Sequence, residues 1–182
     1  MEVRIIRHAQ ALHNLKKILD ENPKNKTFLT NKGIHQARKT AQKFKKQNLV
    51  FDVIYSSQFP RVLQTARIIR RITQSKRIAI DKRINERKTG MDKKPVSAWK
   101  SLKRKNNPFL FKLPRGESFQ EEKKRIKSFL KSIKEKKHHL PKILIVTHGE
   151  PMQIVRGLLK HLSDQKMMKR NPQNAEVWKF EM

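Results

Sequence analysis

Residues 143–149 read Ile-Leu-Ile-Val-Thr-His-Gly, an apolar run of four residues that stops at a polar turn. A short unbroken apolar run is typical of a strand buried on both faces of a parallel sheet. Val3, Ile5 and Ile6 form a similar run, which ends at Arg7-His8. Both patterns predict central strands whose carboxyl ends carry a histidine.

Helical and strand-like segments alternate along the rest of the chain. Apolar positions spaced by three or four residues predict helices at about 30–47, 61–72, 118–137 and 151–161. Further short strands are predicted at 51–55, 78–80 and 177–180, and residues 87–117 are the least regular part. The alternation predicts an α/β fold, a three-layer sandwich with a mostly parallel central sheet and helices on both faces. We expect one domain over residues 1–182, with residues 87–117 as a lid.

The composition is unusually basic. The 182 residues include 45 Lys and Arg against 15 Asp and Glu, a formal net charge of +30, and no cysteine. Such a charge attracts nucleic acids and other polyanions, but lysines that recur along the whole chain favour a solvated surface, so nucleic acid is only weakly indicated. The missing cysteine excludes disulfides and thiol nucleophiles. No apolar run suits a membrane span and no signal-peptide layout is present, so we expect a cytoplasmic protein without a membrane partner.

Polar side chains follow three of the predicted strands. They are Arg7-His8, Ser56-Ser57 with Arg61, and Thr147-His148-Gly149. In open α/β sheets, ligands bind beyond the carboxyl ends of the strands, so these turns are expected to meet in one pocket. Two arginines and two histidines suit a tetrahedral dianion, because guanidinium forks match phosphate oxygens and imidazoles donate or attack.

Metal binding is a rival use of the two histidines. The chain has no HExxH motif and no histidine-rich tract, and Glu150 is the one carboxylate beside either histidine. The residues therefore favour an anion site over a metal site.

Six short motifs stand in order along nearly the whole chain. They are Arg7-His8-Ala9-Gln10 with Asn14, LTNKGIHQA at 29–37, Ser56-Ser57 through Arg61 to Gln64-Thr65-Ala66, Ile84-Asn85-Glu86 with Gly90, Gly116-Glu117-Ser118, and Val146-Thr147-His148-Gly149. The series resembles the motifs of the histidine phosphatases, also called phosphoglycerate mutase-like proteins. Asn174-Ala175 is similar to the Asn-Ala before the last strand of that family.

The resemblance implies a phosphatase that hydrolyses phosphate monoesters in two steps, with neither metal nor cofactor. His8 would attack phosphorus and become a phosphohistidine, and Glu86 would protonate the leaving alcohol and then activate water. The phosphoryl oxygens would be held by Arg7, Asn14, Arg61 and His148. The expected partner is a small phosphorylated substrate, polyanionic if the basic residues at 87–117 contact it.

Two positions depart from the family pattern. Ala9 stands where the family has glycine, which adds a methyl close to the expected phosphate. Glu150 follows His148-Gly149, where a small residue is frequent, so its carboxylate either repels phosphate or contacts a cation on the substrate.

Three alternative functions stay open. Phosphoglycerate mutase-type transfer is disfavoured by the short chain, since mutases of the family are usually longer. A protein phosphohistidine phosphatase is suggested by Ala9, although that branch tends to lack the acid assigned to Glu86. A catalytically idle relative that binds polyanions or nucleic acid is suggested by the charge. The sequence determines neither the physiological substrate nor the oligomeric state.

Overall fold

The computed structural model describes residues 1–136 and 141–182, and within them the chain forms one five-stranded sheet. The strands are β1 (Glu2–Arg7), β2 (Val53–Ser56), β3 (Arg77–Ile80), β4 (Lys142–Thr147) and β5 (Val177–Glu181). Their order across the sheet is β3-β2-β4-β1-β5. Only β5 runs antiparallel to its neighbour β1, and the other described strands pair in parallel.

Helices cover both faces of this sheet. They are α1 (Leu12–Lys16), α2 (Asn31–Lys46), α3 (Pro60–Thr73), α4 (Val96–Lys105), α5 (Phe119–Lys134), α6 (Gly149–Leu159) and α7 (Asp164–Met168). The apolar residues of α2 and α3 pack on one face, and those of α5, α6 and α7 pack on the other. The predicted three-layer α/β sandwich is confirmed. Within the described ranges, no helix combines the length and the apolar character needed to span a bilayer.

The predicted strands and long helices agree with the structure to within a few residues. Residues 87–117 differ, because they contain α4 where the sequence predicted irregular structure. Its apolar residues Val96, Trp99 and Leu102 are spaced by three, but the helix has only 10 residues, buries only Trp99 and has no side-chain cap, so its helical signal is short. Helices α1 and α7 were also missed, since five residues are too few to show a helical period. The predicted end of α5 at Lys137 lies outside the described residues.

The start of α2 is attached to the loop that follows β1. The Thr30 hydroxyl accepts a hydrogen bond from the Gly33 amide at 3.0 Å, which is an N-cap contact, and the Thr30 amide donates to the Gln10 carbonyl at 3.0 Å. A Cβ atom at Gly33 would overlap the carbonyl oxygen of Gln10. Glycine is therefore required here by the close approach of two backbones, directly beside the turn that carries His8.

This close approach predicts that Gly33→Ala destabilises the fold, although alanine is the better helix former by about 1 kcal/mol. We expect the free energy of unfolding, measured by urea denaturation, to fall by roughly 1–3 kcal/mol because the backbone must shift. Lys39→Ala, on the exposed face of the same helix, serves as the control and should change stability by less than about 0.5 kcal/mol. An equal or higher stability of Gly33→Ala would contradict the overlap.

Candidate active site

The strand pairing brings the three polar turns to one edge of the sheet. Arg7 of β1 is in register with Thr147 of β4, and Ser56 of β2 is in register with Val146 of β4. The backbone hydrogen bonds continue one residue further, because the His8 amide donates to the Thr147 carbonyl at 2.8 Å. His8 and His148 consequently lie side by side, with ring centroids 5.3 Å apart in an edge-to-face arrangement.

His8 is held in one tautomer by its own backbone. Its Nδ1 lies 2.8 Å from the Ala9 carbonyl oxygen, which can only accept, so Nδ1 carries the proton and Nε2 keeps its lone pair. Nε2 faces Arg61, whose Nε lies 3.4 Å away. Burial lowers the pKa of His8 well below its ordinary value, and the charge of Arg61 lowers it further. The imidazole is therefore neutral and able to attack through Nε2.

His148 is fixed from its other side. Its Nε2 lies 2.9 Å from the Ser57 hydroxyl, which in turn donates to Asn85 Oδ1 at 2.9 Å. Because the Ser57 hydroxyl gives its proton to Asn85, it accepts a hydrogen bond from Nε2–H of His148. Nδ1 of His148 then faces Arg61, whose Nη2 is 3.3 Å away. Burial is the main cause that lowers the pKa of His148 well below its ordinary value.

Arg61 connects the two histidines and is itself paired with Asp20. Both side chains are fully buried, and Arg61 Nη1 lies 2.6 Å from Asp20 Oδ2 while Nη2 donates to the Asp20 carbonyl at 3.0 Å. Burial lowers the pKa of Arg61 to about 10, with Asp20 opposing the shift, so the guanidinium stays charged near neutral pH. Asp20 was missed by the sequence reasoning, since it lies in a loop and belongs to none of the motifs.

Arg7 and Asn14 complete the polar wall beside His8. Arg7 donates through Nη1 to the Pro172 carbonyl at 2.8 Å, which leaves the rest of its guanidinium toward the cavity. Asn14 accepts from the Ala11 amide at 2.9 Å and its Nδ2 lies 3.0 Å from Nε2 of His13. His13 was also missed by the sequence reasoning. Burial and then the arginine charges lower the pKa of His13 to about 2, so it is neutral.

Glu86 reaches the site from the segment after β3. The hydroxyl of Thr147 donates to the Ile84 carbonyl at 2.6 Å, which fixes this segment against the end of β4. Glu86 Oε2 lies 3.9 Å from His148 Nδ1, and 30% of the Glu86 side chain is exposed. Burial raises the pKa of Glu86, and the nearby charge of Glu150 raises it further. A carboxyl with a raised pKa is suited to donate a proton.

Glu21 anchors the loop that follows Glu86. Its carboxylate accepts hydrogen bonds from the amides of Thr89, Gly90 and Met91 and from the Thr89 hydroxyl. Backbone hydrogen bonds join the same two segments, with the Leu19 amide donating to Lys94 and the Lys93 amide donating to Leu19. The loop before α2 and the segment before α4 therefore form one connected wall.

A cavity of about 750 Å³ opens in front of these groups. Arg7, Asn14, Arg61 and Glu86 line it, and the buried His8 and His148 lie behind Arg61. The structure thus places all six residues predicted from the sequence together. Among residues 1–136 and 141–182, no three His, Asp or Glu side chains are arranged to hold a metal ion.

The methyl of Ala9 lies in an apolar cluster. It packs with Ala11, Leu29 and Ala37, between the loop after β1 and helix α2. The Ala9 amide donates to the Thr65 hydroxyl at 3.2 Å. The methyl group that alanine adds at position 9, where the family has glycine, therefore contributes to the packing of the turn against Leu29 and helix α2.

Comparison with known proteins agrees with this geometry. The family model described as histidine phosphatase superfamily (branch 1) matches residues 3–182. A protein of Hydrogenobacter thermophilus named "Putative phosphoserine phosphatase 2" is 30% identical over 98% of this chain and 88% of its own length.

Solved structures show the same fold. The alpha-ribazole phosphatase from Shigella flexneri has a TM-score of 0.85 at 22% identity, covering 100% of this chain and 91% of that one. The phosphoserine phosphatase from Entamoeba histolytica, in complex with 3-phosphoglyceric acid, has a TM-score of 0.81 at 22% identity over 99% and 90% of the two chains. Together with the family match over residues 3–182, the ordered motifs and the shared fold lead to one assignment. The chain is a histidine phosphatase, a phosphoric monoester hydrolase that belongs to branch 1 of the histidine phosphatase superfamily.

Proposed function

We propose that this protein hydrolyses small phosphate monoesters without a metal, through a phosphohistidine formed on Nε2 of His8. The observation that carries the proposal is the geometry of His8, whose Nδ1 donates to the Ala9 carbonyl and whose Nε2 accepts from Nε of Arg61. Burial, which lowers the pKa of His8, supports the neutral form. A neutral imidazole held in one tautomer next to fixed cations is an activated nucleophile beside a site for phosphoryl charge.

In the first step, His8 Nε2 forms a bond to phosphorus while the bond from phosphorus to the leaving oxygen breaks. Glu86 donates its proton to that oxygen, so the alcohol leaves neutral. Nε–H of Arg61, which donates to His8 Nε2 in the free site, donates to a phosphoryl oxygen instead, and the other oxygens are held by Arg7, Asn14 and His148. A bound dianion favours a proton on His148, which then donates to it.

In the second step, ionised Glu86 takes a proton from water, and the resulting hydroxide oxygen bonds to phosphorus. The bond from phosphorus to Nε2 breaks, which releases inorganic phosphate and restores His8. The protonated and ionised forms of Glu86 are thus used in turn, and the raised pKa extends the protonated form to higher pH.

We further propose one domain, with residues 87–117 as the lid over the cavity. Seven of the ten Lys and Arg side chains on this segment support a substrate with more than one negative charge. They are Lys93, Lys94, Lys100, Lys103, Arg104, Lys105 and Arg115. Two of them are already paired, Lys93 with Asp20 at 3.3 Å and Lys103 with Glu150 at 3.6 Å.

The names of the relatives, among them phosphoserine and alpha-ribazole phosphatases, support a small phosphorylated substrate.

The phosphohistidine mechanism predicts different losses for two variants. With EDTA present, His8→Ala should abolish hydrolysis of every ester in a panel that runs from p-nitrophenyl phosphate to alkyl phosphates. Glu86→Gln should slow alkyl phosphates by about 10²–10⁴-fold and p-nitrophenyl phosphate far less, because a good leaving group needs no proton. Steady-state kinetics and acid-labile ³²P labelling of the protein measure both effects.

Glu135→Gln, at the exposed end of α5, is the matched control for the removal of one carboxylate. Activity retained by His8→Ala would refute the nucleophile. A wild type that is inert on all esters but cleaves phosphohistidine on a protein would support the protein phosphohistidine phosphatase instead.

The raised pKa of Glu86 also predicts a pH profile. The Glu86 carboxyl must be protonated to act in the first step. Therefore kcat/KM for an alkyl phosphate should fall as pH rises through the raised pKa, at a higher pH than if Glu86 had the pKa of an ordinary glutamate. The profile should be measured between about pH 5 and 9. Glu86→Gln should remove this fall of kcat/KM at high pH. If the variant shows the same fall at the same pH, Glu86 is not the acid.

A further inference from the structure

Glu150 stands at the cavity in a fixed position. It lies in the first turn of α6, two residues after His148, and its side chain is 17% exposed. Its Oε1 is 2.8 Å from Nη2 of Arg87 and 3.6 Å from Nζ of Lys103. Arg87 is itself immobilised, because it is 1% exposed and its guanidinium lies over the Trp99 ring at 5.3 Å from the ring centroid.

Acidic residues are concentrated at this cavity. The chain has only 15 of them and a net charge of +30, yet Asp20, Glu21, Glu86 and Glu150 all line the cavity. Asp20 is committed to Arg61, and Glu21 to the backbone of residues 89–91. Glu86 has the proposed role of acid. Glu150 is the member of the four for which the reaction itself supplies no task.

Positive charge lies beside the Glu150 carboxyl. The residue is at the N-terminus of α6, and Nη2 of Arg87 is 2.8 Å from its Oε1. Within the described residues, its buried Oε1 makes no hydrogen bond of good geometry, although Arg87 is close. Glu150 lines the same cavity as Glu86, the residue proposed to protonate the leaving oxygen.

We propose that Glu150 is a specificity-determining residue that binds a positively charged group, such as an ammonium, on the leaving alcohol. The ligand class is therefore phosphate monoesters of amino alcohols, phosphorylated amino acids included. This proposal rests on the proposed function and adds to it the recognition of the alcohol. The charges of Arg87 and Lys103, which lie beside the carboxylate, partly offset its repulsion of the phosphate dianion.

Two pairs of substrates isolate the ammonium. O-Phosphoserine and 3-phosphoglycerate differ in carrying an ammonium or a hydroxyl beside the same carboxylate, and phosphoethanolamine and glycol phosphate differ in the same way without a carboxylate. We expect Glu150→Gln to lower the kcat/KM ratio of each ammonium ester to its hydroxyl partner about tenfold or more. The ratio is the readout because any change in the pKa of Glu86 affects both alkyl phosphates of a pair alike.

Glu150→Asp, which keeps the charge, should retain part of the preference, and Glu135→Gln should leave both ratios at the wild-type value. A destabilised variant does not disturb the test, since both members of a pair are measured on the same protein. An active wild type whose ratios do not change in Glu150→Gln would overturn this inference alone. A wild type that is inert on these four esters but hydrolyses p-nitrophenyl phosphate would also overturn this inference alone, whereas a wild type inert on every ester would overturn the proposed function with it.

Discussion

The parallel pairing of β1 with β4 is the constraint on which the active site depends. In this register Arg7 lies opposite Thr147, so the residues that follow, His8 and His148, leave the sheet at the same point. A slip by one residue would turn every side chain of β1 to the opposite face and separate the two rings. Strand β4 is buried on both faces, and β1 places Val3 and Ile5 in one core cluster and Ile6 in the other, so the packing of both strands fixes that register.

Burial shifts the pKa values of the site residues in opposite directions, and both shifts suit the same reaction. It lowers the pKa values of His8 and His148 and raises that of Glu86, because low polarity disfavours whichever form is charged. A neutral imidazole and a protonated carboxyl can therefore exist at the same pH, which is the pairing that phosphoryl transfer with protonation of the alcohol needs. Arg61 supplies positive charge to this apolar setting, and Asp20 offsets the cost of its burial.

The sequence was informative where the signal is local. Unbroken apolar runs and helical periods predicted the sheet and the long helices. The polar turns at the strand ends predicted Arg7, His8, Arg61 and His148, and the family resemblance added Asn14 and Glu86. The helical period did not reveal α4, because this short helix buries a single residue, Trp99.

The site residues that the sequence did not reveal, such as Asp20 and Glu21, have binding partners that are distant in the chain. Asp20 pairs with Arg61 across 41 residues, and Glu21 holds amides 68 to 70 residues away. No spacing rule connects such positions before the fold is known. For Glu150 the sequence left two alternatives open, and the structure adds that an ion pair with Arg87 fixes its carboxylate at the cavity.

The double anchor at Asp20 and Glu21 links two events at the cavity. Adjacent residues of one loop hold the arginine beside the nucleophile and the backbone at the start of the segment proposed as the lid. Because the two anchors are adjacent residues, any displacement of residues 89–91 would be transmitted through the loop to the Asp20–Arg61 pair. The shape of the cavity wall and the position of the arginine beside His8 are therefore mechanically coupled.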